Sequence, residues 1–134
     1  MIVDIPHQGD PSHDDVILVP LQSHVEAQNA AFRSYQAGQF SVIEVVGEID
    51  IAVSPAMRDF LDAAISSQVV FDLRQVTFMD ASGLGVLAEA WRMTNLSGGS
   101  VALVGPLKRV RRVLEVTQLD AVLPIYDTLM EAIR

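Results

Sequence analysis

A short segment of small and polar residues separates an apolar run from a helical pattern near the middle of this chain. The apolar run is Val69–Leu73, the small segment is Asp80–Gly85, and apolar residues recur at helical spacing from Leu84 to Leu96. A nearly continuous apolar run is typical of a strand that is covered on both faces. A strand that turns directly into a helix is the repeating unit of α/β folds. We therefore predict an α/β fold, and we call Asp80–Gly85 the junction.

The rest of the pattern predicts a mixed sheet with crossover helices in the order ββαβαβαβα. The first two strands are expected to form a hairpin through Ala37-Gly38, and Ser54-Pro55 supplies an N-cap and a proline at the first helical position. The expected strands cover residues 31–35, 40–46, 69–73, 101–104 and 122–126. The expected helices run from Ser54 to Ile65, from Leu84 to Leu96, from Pro106 to Leu119, and from an Asp127 cap to Ile133.

Residues 1–28 differ in composition from the remainder of the chain. Prolines, glycine and paired acids surround one short apolar segment, 16–21, which predicts a flexible N-terminal arm carrying an extra edge strand or a lid on the core. We therefore divide the chain into an arm at 1–28 and a domain at 29–134. The histidines His7, His13 and His24 match no metal-ligand spacing, so no metal site is expected.

Composition and charge exclude several classes of function. The chain has 134 residues, half of them hydrophobic, no cysteine and a net charge of -8. That balance predicts a globular cytoplasmic protein and disfavours nucleic acid as a partner, because phosphate binding needs a basic face. Neither a signal peptide nor a membrane-spanning segment is evident, so stable membrane insertion is not expected.

One local exception to the acidic character is a cluster of basic residues in the third predicted helix. It is either a solvated helix face or a patch for a protein partner or anionic lipid. Its members are Lys108, Arg109, Arg111 and Arg112.

Three catalytic interpretations of the junction fail on their own requirements. A nucleophile elbow needs glycine two residues before and two after the serine, but Asp80 and Leu84 flank Ser82 at those positions. The segment Gly83–Ala88 fits a dinucleotide fingerprint, yet the ribose-binding acid expected about 20 residues on is missing, because residues 101–104 are apolar and the next acid is Glu115. A phosphate loop would need a lysine beside the serine. We therefore expect neither an enzyme nor a bound cofactor.

Two explanations of the junction remain open. Asp80 and Ser82 could simply cap the following helix, since a cap stabilises by about 1 kcal/mol. However, Gly83 and Gly85 each cost about 1 kcal/mol relative to alanine inside a helix. Close approach of another backbone or of a phosphoryl group would explain such a pair of glycines, because a helix start offers free N–H groups and a positive dipole end.

With its flanking motifs, the junction resembles the STAS domain family (sulphate transporter and anti-sigma factor antagonist). The resemblance rests on Gly47-Glu48-Ile49-Asp50, on Phe78 to Gly85, and on Gly98-Gly99, in that order. It covers about residues 31–134 and is closest to the bacterial anti-sigma factor antagonists. The fold of the family agrees with the predicted order of elements.

The resemblance implies a partner-switching function. The protein would bind an anti-sigma factor that has a histidine-kinase-like ATPase/kinase domain, and would thereby free a sigma factor. In the family, phosphorylation of the serine immediately after the junction aspartate breaks that complex. Here Asp80 matches the aspartate, Asp50 a second acid near the site, and Ala81 the phosphoserine position. Ser82 remains a possible shifted acceptor.

The implied partner-binding residues are Asp50, Asp80, Ala81, Ser82, Gly83, Leu84 and Gly85. A homodimer is compatible with the sequence. The alternative function is a STAS module of a stress-sensing scaffold, or an accessory subunit of a lipid or anion transporter.

Overall fold

The computed structural model describes residues 16–18, 24–64 and 66–134, with only the backbone described at 16–18, 24 and 25. The strands are β1 (Val16–Leu18), β2 (His24–Ala27), β3 (Ala30–Ala37), β4 (Phe40–Ile49), β5 (Gln68–Met79), β6 (Ser100–Val104) and β7 (Ile125–Tyr126). The helices are α1 (Ser54–Ala64), α2 (Ala81–Leu96), α3 (Lys108–Val116) and α4 (Leu129–Ala132), and a 3-10 helix spans Leu119–Ala121. From β3 onward the order is ββαβαβαβα, which confirms the predicted α/β fold.

The described strands form one mixed sheet. Their order is β1-β3-β4-β5-β6-β7, and β2 also pairs with β3. The pair β3–β4 is antiparallel and turns at Gly38, whose φ of +63° suits glycine, while β4 to β7 run parallel. The carboxyl ends of parallel strands therefore lie at one edge of the sheet, and α1, α2 and α3 begin there. We call this the carboxyl edge.

Two hydrophobic clusters cover the two faces of the sheet. Because side chains alternate between faces along a strand, Phe71 and Val70 belong to different clusters. The larger cluster packs the sheet against α1, α2 and α3, and the smaller one packs it against α4. The predicted buried stripe of α1 is present at Met57, Phe60 and Leu61, with Ala64 partly buried. Ile65 lies outside the described residues.

The third predicted helix and the last strand are shorter than expected. Helix α3 ends at Val116, because the chain reverses through Gln118 in the left-handed conformation at φ 64°. Leu119 therefore packs against the core from the 3-10 helix. The predicted strand at 122–126 is reduced to Ile125–Tyr126 at the edge of the sheet.

The predicted cap of the last helix is wrong by one residue. Thr128, not Asp127, caps α4: its hydroxyl accepts a hydrogen bond from the Glu131 N–H at 3.2 Å. The Glu131 carboxylate in turn accepts from the Thr128 N–H at 3.2 Å. This reciprocal capping box satisfies two N–H groups at once, whereas a cap at Asp127 would satisfy only one.

Strands β1 and β2 lie end to end along the outer edge of β3. Residues of β1 pair with 35–37 of β3, and residues of β2 pair with 30–33. Three residues of the apolar segment 16–21 thus join the sheet, and 19–21 lie outside the described residues. The division into an arm at 1–28 and a domain at 29–134 stays a prediction.

A variant that begins at Ala30 is expected to melt cooperatively but at a lower temperature. Among the described residues, every buried member of the two clusters lies at Ala30 or beyond, and Ala27 packs partly buried against the larger one, so most of this core is retained. The bared edge of β3 would lose ladder hydrogen bonds worth about 0.5–1.5 kcal/mol each, and would promote self-association. Circular dichroism and light scattering would measure the two effects. A broad, non-cooperative transition would show that residues 1–28 belong to the folding unit.

Candidate functional site

The connections that leave β4 and β5 meet at the carboxyl edge. Strand β4 runs into Asp50 and the turn before α1, and β5 runs into Asp80 and the start of α2. The Asp80 N–H donates to the Ile49 carbonyl over 3.2 Å, so the two aspartates are brought side by side. In α/β sheets, ligands and partners are commonly received at this edge.

Asp80 is the N-cap of α2. Its Oδ1 accepts hydrogen bonds from the Ser82 N–H at 2.9 Å, from the Ser82 hydroxyl at 2.5 Å and from the Gly83 N–H at 3.4 Å. The Ser82 hydroxyl, followed by the backbone N–H groups of Gly83, Ser82 and Ile51, holds the pKa of the Asp80 carboxyl below its ordinary value. The carboxylate is therefore ionised at neutral pH, and it accepts hydrogen bonds from the first residues of α2.

Replacing Asp80 with alanine is expected to lower the free energy of unfolding by about 1 kcal/mol at neutral pH, the usual cost of a lost N-cap. A carboxyl whose folded pKa is depressed contributes stability above its unfolded pKa, about 3.9, and this is lost as the pH falls through the folded value. The difference between variant and parent should therefore be constant at neutral pH and shrink below about pH 4. Urea unfolding at several pH values measures this, and a gap that persists or widens in acid would contradict it.

Asp50 has a similar capping role one strand away. Its Oδ1 accepts from the Ala52 N–H at 3.0 Å and the Val53 N–H at 3.2 Å, which closes the turn before α1. The predicted side-chain cap by Ser54 is absent from the described contacts: its hydroxyl donates to the Ile51 carbonyl at 3.4 Å. The turn leaves Ile51 projecting from the surface.

Gly83 and Leu84 do not belong to an accessible surface. Both are buried, Leu84 at 5% exposure. A Cβ atom at Gly83 would lie 2.8 Å from Met79 Cγ and 2.9 Å from Ile49 Cγ2. The chain's own strand ends therefore explain this glycine, because they approach the first turn of α2 too closely for a side chain. That Gly83 also serves the approach of another molecule stays a prediction.

Gly85 differs from Gly83. It is exposed, and a Cβ placed there would meet no atom within 4 Å. Nothing within the described part of the chain therefore requires glycine at this fifth position of α2, where it costs about 1 kcal/mol relative to alanine. Ala81 is also exposed, and Ser82 is half-buried. The accessible part of the junction consists of small residues.

Two exposed apolar side chains flank the junction and were missed from the sequence. Ile51 is 76% exposed, and its backbone N–H contacts the Asp80 carboxylate. Phe78 is 45% exposed and lies two residues before Asp80 in the chain. An isolated large apolar residue in a turn, or next to the end of a strand, was the available signal. With Ala81, Ser82 and Gly85, they are exposed or half-buried residues in and beside the junction, and we call this set the junction face.

The described residues contain no group of three or more histidine, cysteine, aspartate or glutamate side chains arranged to hold a metal ion. His7 and His13 lie outside the described residues. Within the same described ranges, no helix has both the length and the apolar character needed to cross a bilayer.

Comparison with known proteins decides the family. Residues 31–132 match the family described as STAS domain. The chain belongs to the STAS domain family. This confirms the resemblance, which covers nearly the range expected from the motifs. The matched range begins in β3 and ends in α4, so it includes both aspartates and the whole junction face.

Several relatives of this STAS domain are named anti-sigma factor antagonists. An anti-sigma F factor antagonist of Paenibacillus polymyxa is 32% identical over 96 residues, which is 69% of this chain and 82% of the relative. An anti-sigma-B factor antagonist of Bacillus subtilis is 31% identical over 85 residues, 62% of this chain and 78% of the relative. The crystal structure of an anti-sigma factor antagonist from Mycobacterium paratuberculosis superposes with a TM-score of 0.69 at 30% identity, covering 81% of this chain and 96% of that one.

Proposed function

We propose that this STAS domain is an anti-sigma factor antagonist, which binds an anti-sigma factor and thereby frees a sigma factor. The observation that carries the proposal is the junction face, a group of exposed small and apolar residues in a domain of this family. Relatives with that regulatory name, matched over most of their own length, support it. The partner is an anti-sigma factor with a histidine-kinase-like ATPase/kinase domain, and the encounter takes place in the cytoplasm.

The contact surface is narrower than the set of residues inferred from the sequence. Ile51 and Phe78 provide apolar anchors, and Ala81 and Gly85 allow a partner's backbone to come close. A side chain that becomes fully buried in the complex, with surrounding contacts that exclude water, has the arrangement of an interface hot spot. Asp50 and Asp80 fix the backbone of the junction face through their hydrogen bonds. Their negative charge complements basic groups of the partner. Gly83 and Leu84 contribute only through packing.

The site acts by binding rather than by catalysis. Ser82 donates its hydroxyl proton toward the Asp80 carboxylate, which superficially resembles a nucleophile beside a base. The lowered pKa of Asp80 makes it a poor general base at neutral pH, because its affinity for a proton is weak. The same contact makes Ser82 a poor phosphate acceptor. Since Ala81 occupies the phosphoserine position of the family, we propose that the protein is constitutively competent to bind.

Titration calorimetry with the cognate anti-sigma factor tests the contact surface. The parent is expected to bind, and Gly85→Leu to weaken binding at least about tenfold, or 1.4 kcal/mol, by holding the partner away. Gly85→Ala is the matched control: a single methyl group in open space should stabilise the fold by about 0.5–1 kcal/mol and weaken binding less. Equal affinity of the parent and Gly85→Leu would exclude Gly85 from the interface.

A further inference from the structure

Helix α3 presents an unusually basic face on an acidic protein. Four of the nine lysine and arginine residues of the chain lie within five consecutive positions, while the net charge is -8. Val110 and Leu114 bury the other side of the helix in the core. We call the cationic side the basic patch. It consists of Lys108, Arg109 and Arg112, which are exposed, and Arg111, which is half-buried.

No carboxylate of the described residues forms an ion pair with these cations, although Asp127 and Glu131 line the same pocket as Arg111. Within the described residues, the one side-chain hydrogen bond of these cations runs from Arg109 to a backbone carbonyl, and Glu115 is the single acid in the helix. Three of the five cations on other elements have carboxylate partners, while Arg58 and Arg134 have none among the described residues, so the basic patch stands out mainly by its density. Those other pairs are Arg33 with Glu44 at 3.4 Å, Arg74 with Asp72 at 2.6 Å, and Arg92 with Glu89 at 2.5 Å.

The basic patch is continuous with the junction face. Arg109 Nη1 donates to the Thr77 carbonyl over 3.5 Å, and Thr77 directly precedes Phe78 of the junction face. Helix α3 therefore begins beside the last residues of β5 and shares the carboxyl edge with the start of α2. A molecule that covers Phe78 would meet the basic patch at its border.

We propose that the basic patch receives an acidic surface of a protein partner, next to the junction face. The inference rests on the proposed function insofar as that partner is the anti-sigma factor. A protein can present a local acidic patch at short range, whereas a membrane or a nucleic acid presents an extended negative field that the net charge of -8 opposes. Val110 and Leu114 of α3 are also buried, so its apolar stripe is not available to insert into lipid.

We expect the basic patch to raise the rate at which the two proteins associate, through electrostatic attraction. Charges at the rim of an interface act mainly on the association rate, and salt screens them. We therefore compare two variants with the same change in net charge. One is Lys108→Gln/Arg109→Gln/Arg112→Gln, and the control is Arg33→Gln/Arg92→Gln/Arg134→Gln.

Stopped-flow mixing with the anti-sigma factor gives the decisive rates. At about 50 mM salt the basic-patch variant should associate about tenfold more slowly than the parent, and at about 500 mM salt the two should differ less than twofold. Its dissociation rate should stay within about twofold of the parent, and the control should match the parent throughout. Equal slowing by both variants, or none by either, would overturn the proposal.

A second measurement does not depend on the identity of the partner. In amide NMR spectra of the full chain, a polyglutamate peptide should shift resonances of residues 107–113 and leave those of the control cations unchanged, with loss of the effect at high salt. Phosphatidylglycerol vesicles should not sediment the protein. Absence of shifts in α3, or vesicle binding that the basic-patch variant abolishes, would overturn the proposal. Polyglutamate shifts without anti-sigma binding would reject only the proposed function.

Discussion

Under the proposed function, Ala81→Ser is expected to take up stoichiometric phosphate from the anti-sigma kinase, whereas the parent protein is expected to take up none. Position 81 is the first residue of α2 and is exposed, so a new hydroxyl there would be accessible. A phosphate of charge about -2 is stabilised at a helix N-terminus by free N–H groups and the dipole. Ser82 is a poorer acceptor, because its hydroxyl is hydrogen-bonded to Asp80 at 2.5 Å. A phosphate there would stand beside a carboxylate.

Mass spectrometry after incubation with the anti-sigma factor and ATP measures this difference. The double variant Ala81→Ser/Ser82→Ala is the control, and it should be phosphorylated like the single variant. Phosphorylated Ala81→Ser should also lose affinity for the anti-sigma factor, since the added charge and bulk stand on the junction face. Stoichiometric phosphate on Ser82 of the parent protein would refute both the assignment of Ala81 and the claim of constitutive binding.

Ile51→Asp is expected to weaken binding of the anti-sigma factor by about 2 kcal/mol or more, roughly thirtyfold, the scale of an interface hot spot. The side chain is 76% exposed, so the substitution removes little from the core of the free protein. In the complex it would place an unpaired carboxylate where an apolar anchor is expected. Titration calorimetry measures the loss, and thermal melting of the free variant should show an unchanged fold.

Leu96→Asp is the matched control for that substitution. Leu96 is 73% exposed, close to the value for Ile51, and it ends α2 at the opposite end of the helix from the junction. Leu96→Asp introduces the same charge as Ile51→Asp and removes an apolar side chain of similar size. Equal losses for the two variants would mean that net charge, and not the junction face, controls affinity.

The order of elements and the cap at Asp80 were predictable because each has a local cause. Alternating and helical apolar periods mark the strands and helices, and an aspartate before a helix supplies its own hydrogen-bond acceptor. The length of β5 was not predictable in this way. Residues such as Arg74 and Gln75 look like a turn, yet β5 continues to Met79 because it pairs with β4 beyond the end of β6.

The exposure of each site residue could not be predicted, because it depends on how α2 sits on the strand ends. Gly83 and Gly85 look equivalent in the sequence, but one faces Ile49 and Met79 while the other faces open space. Ile51 is prominent only because the Asp50 turn leaves its side chain outside. Spacing predicted the junction as a candidate site, and tertiary packing decides which of its residues are exposed.

The measurement that tests the central claim most directly starts from a preformed complex of the sigma factor with its anti-sigma factor. A fluorescent label on the sigma factor reports its release as the protein is added. We predict dose-dependent release by the parent and by Leu96→Asp, and release by Ile51→Asp only at about thirtyfold higher concentration. A complex that stays intact at saturating parent protein would contradict the proposed function.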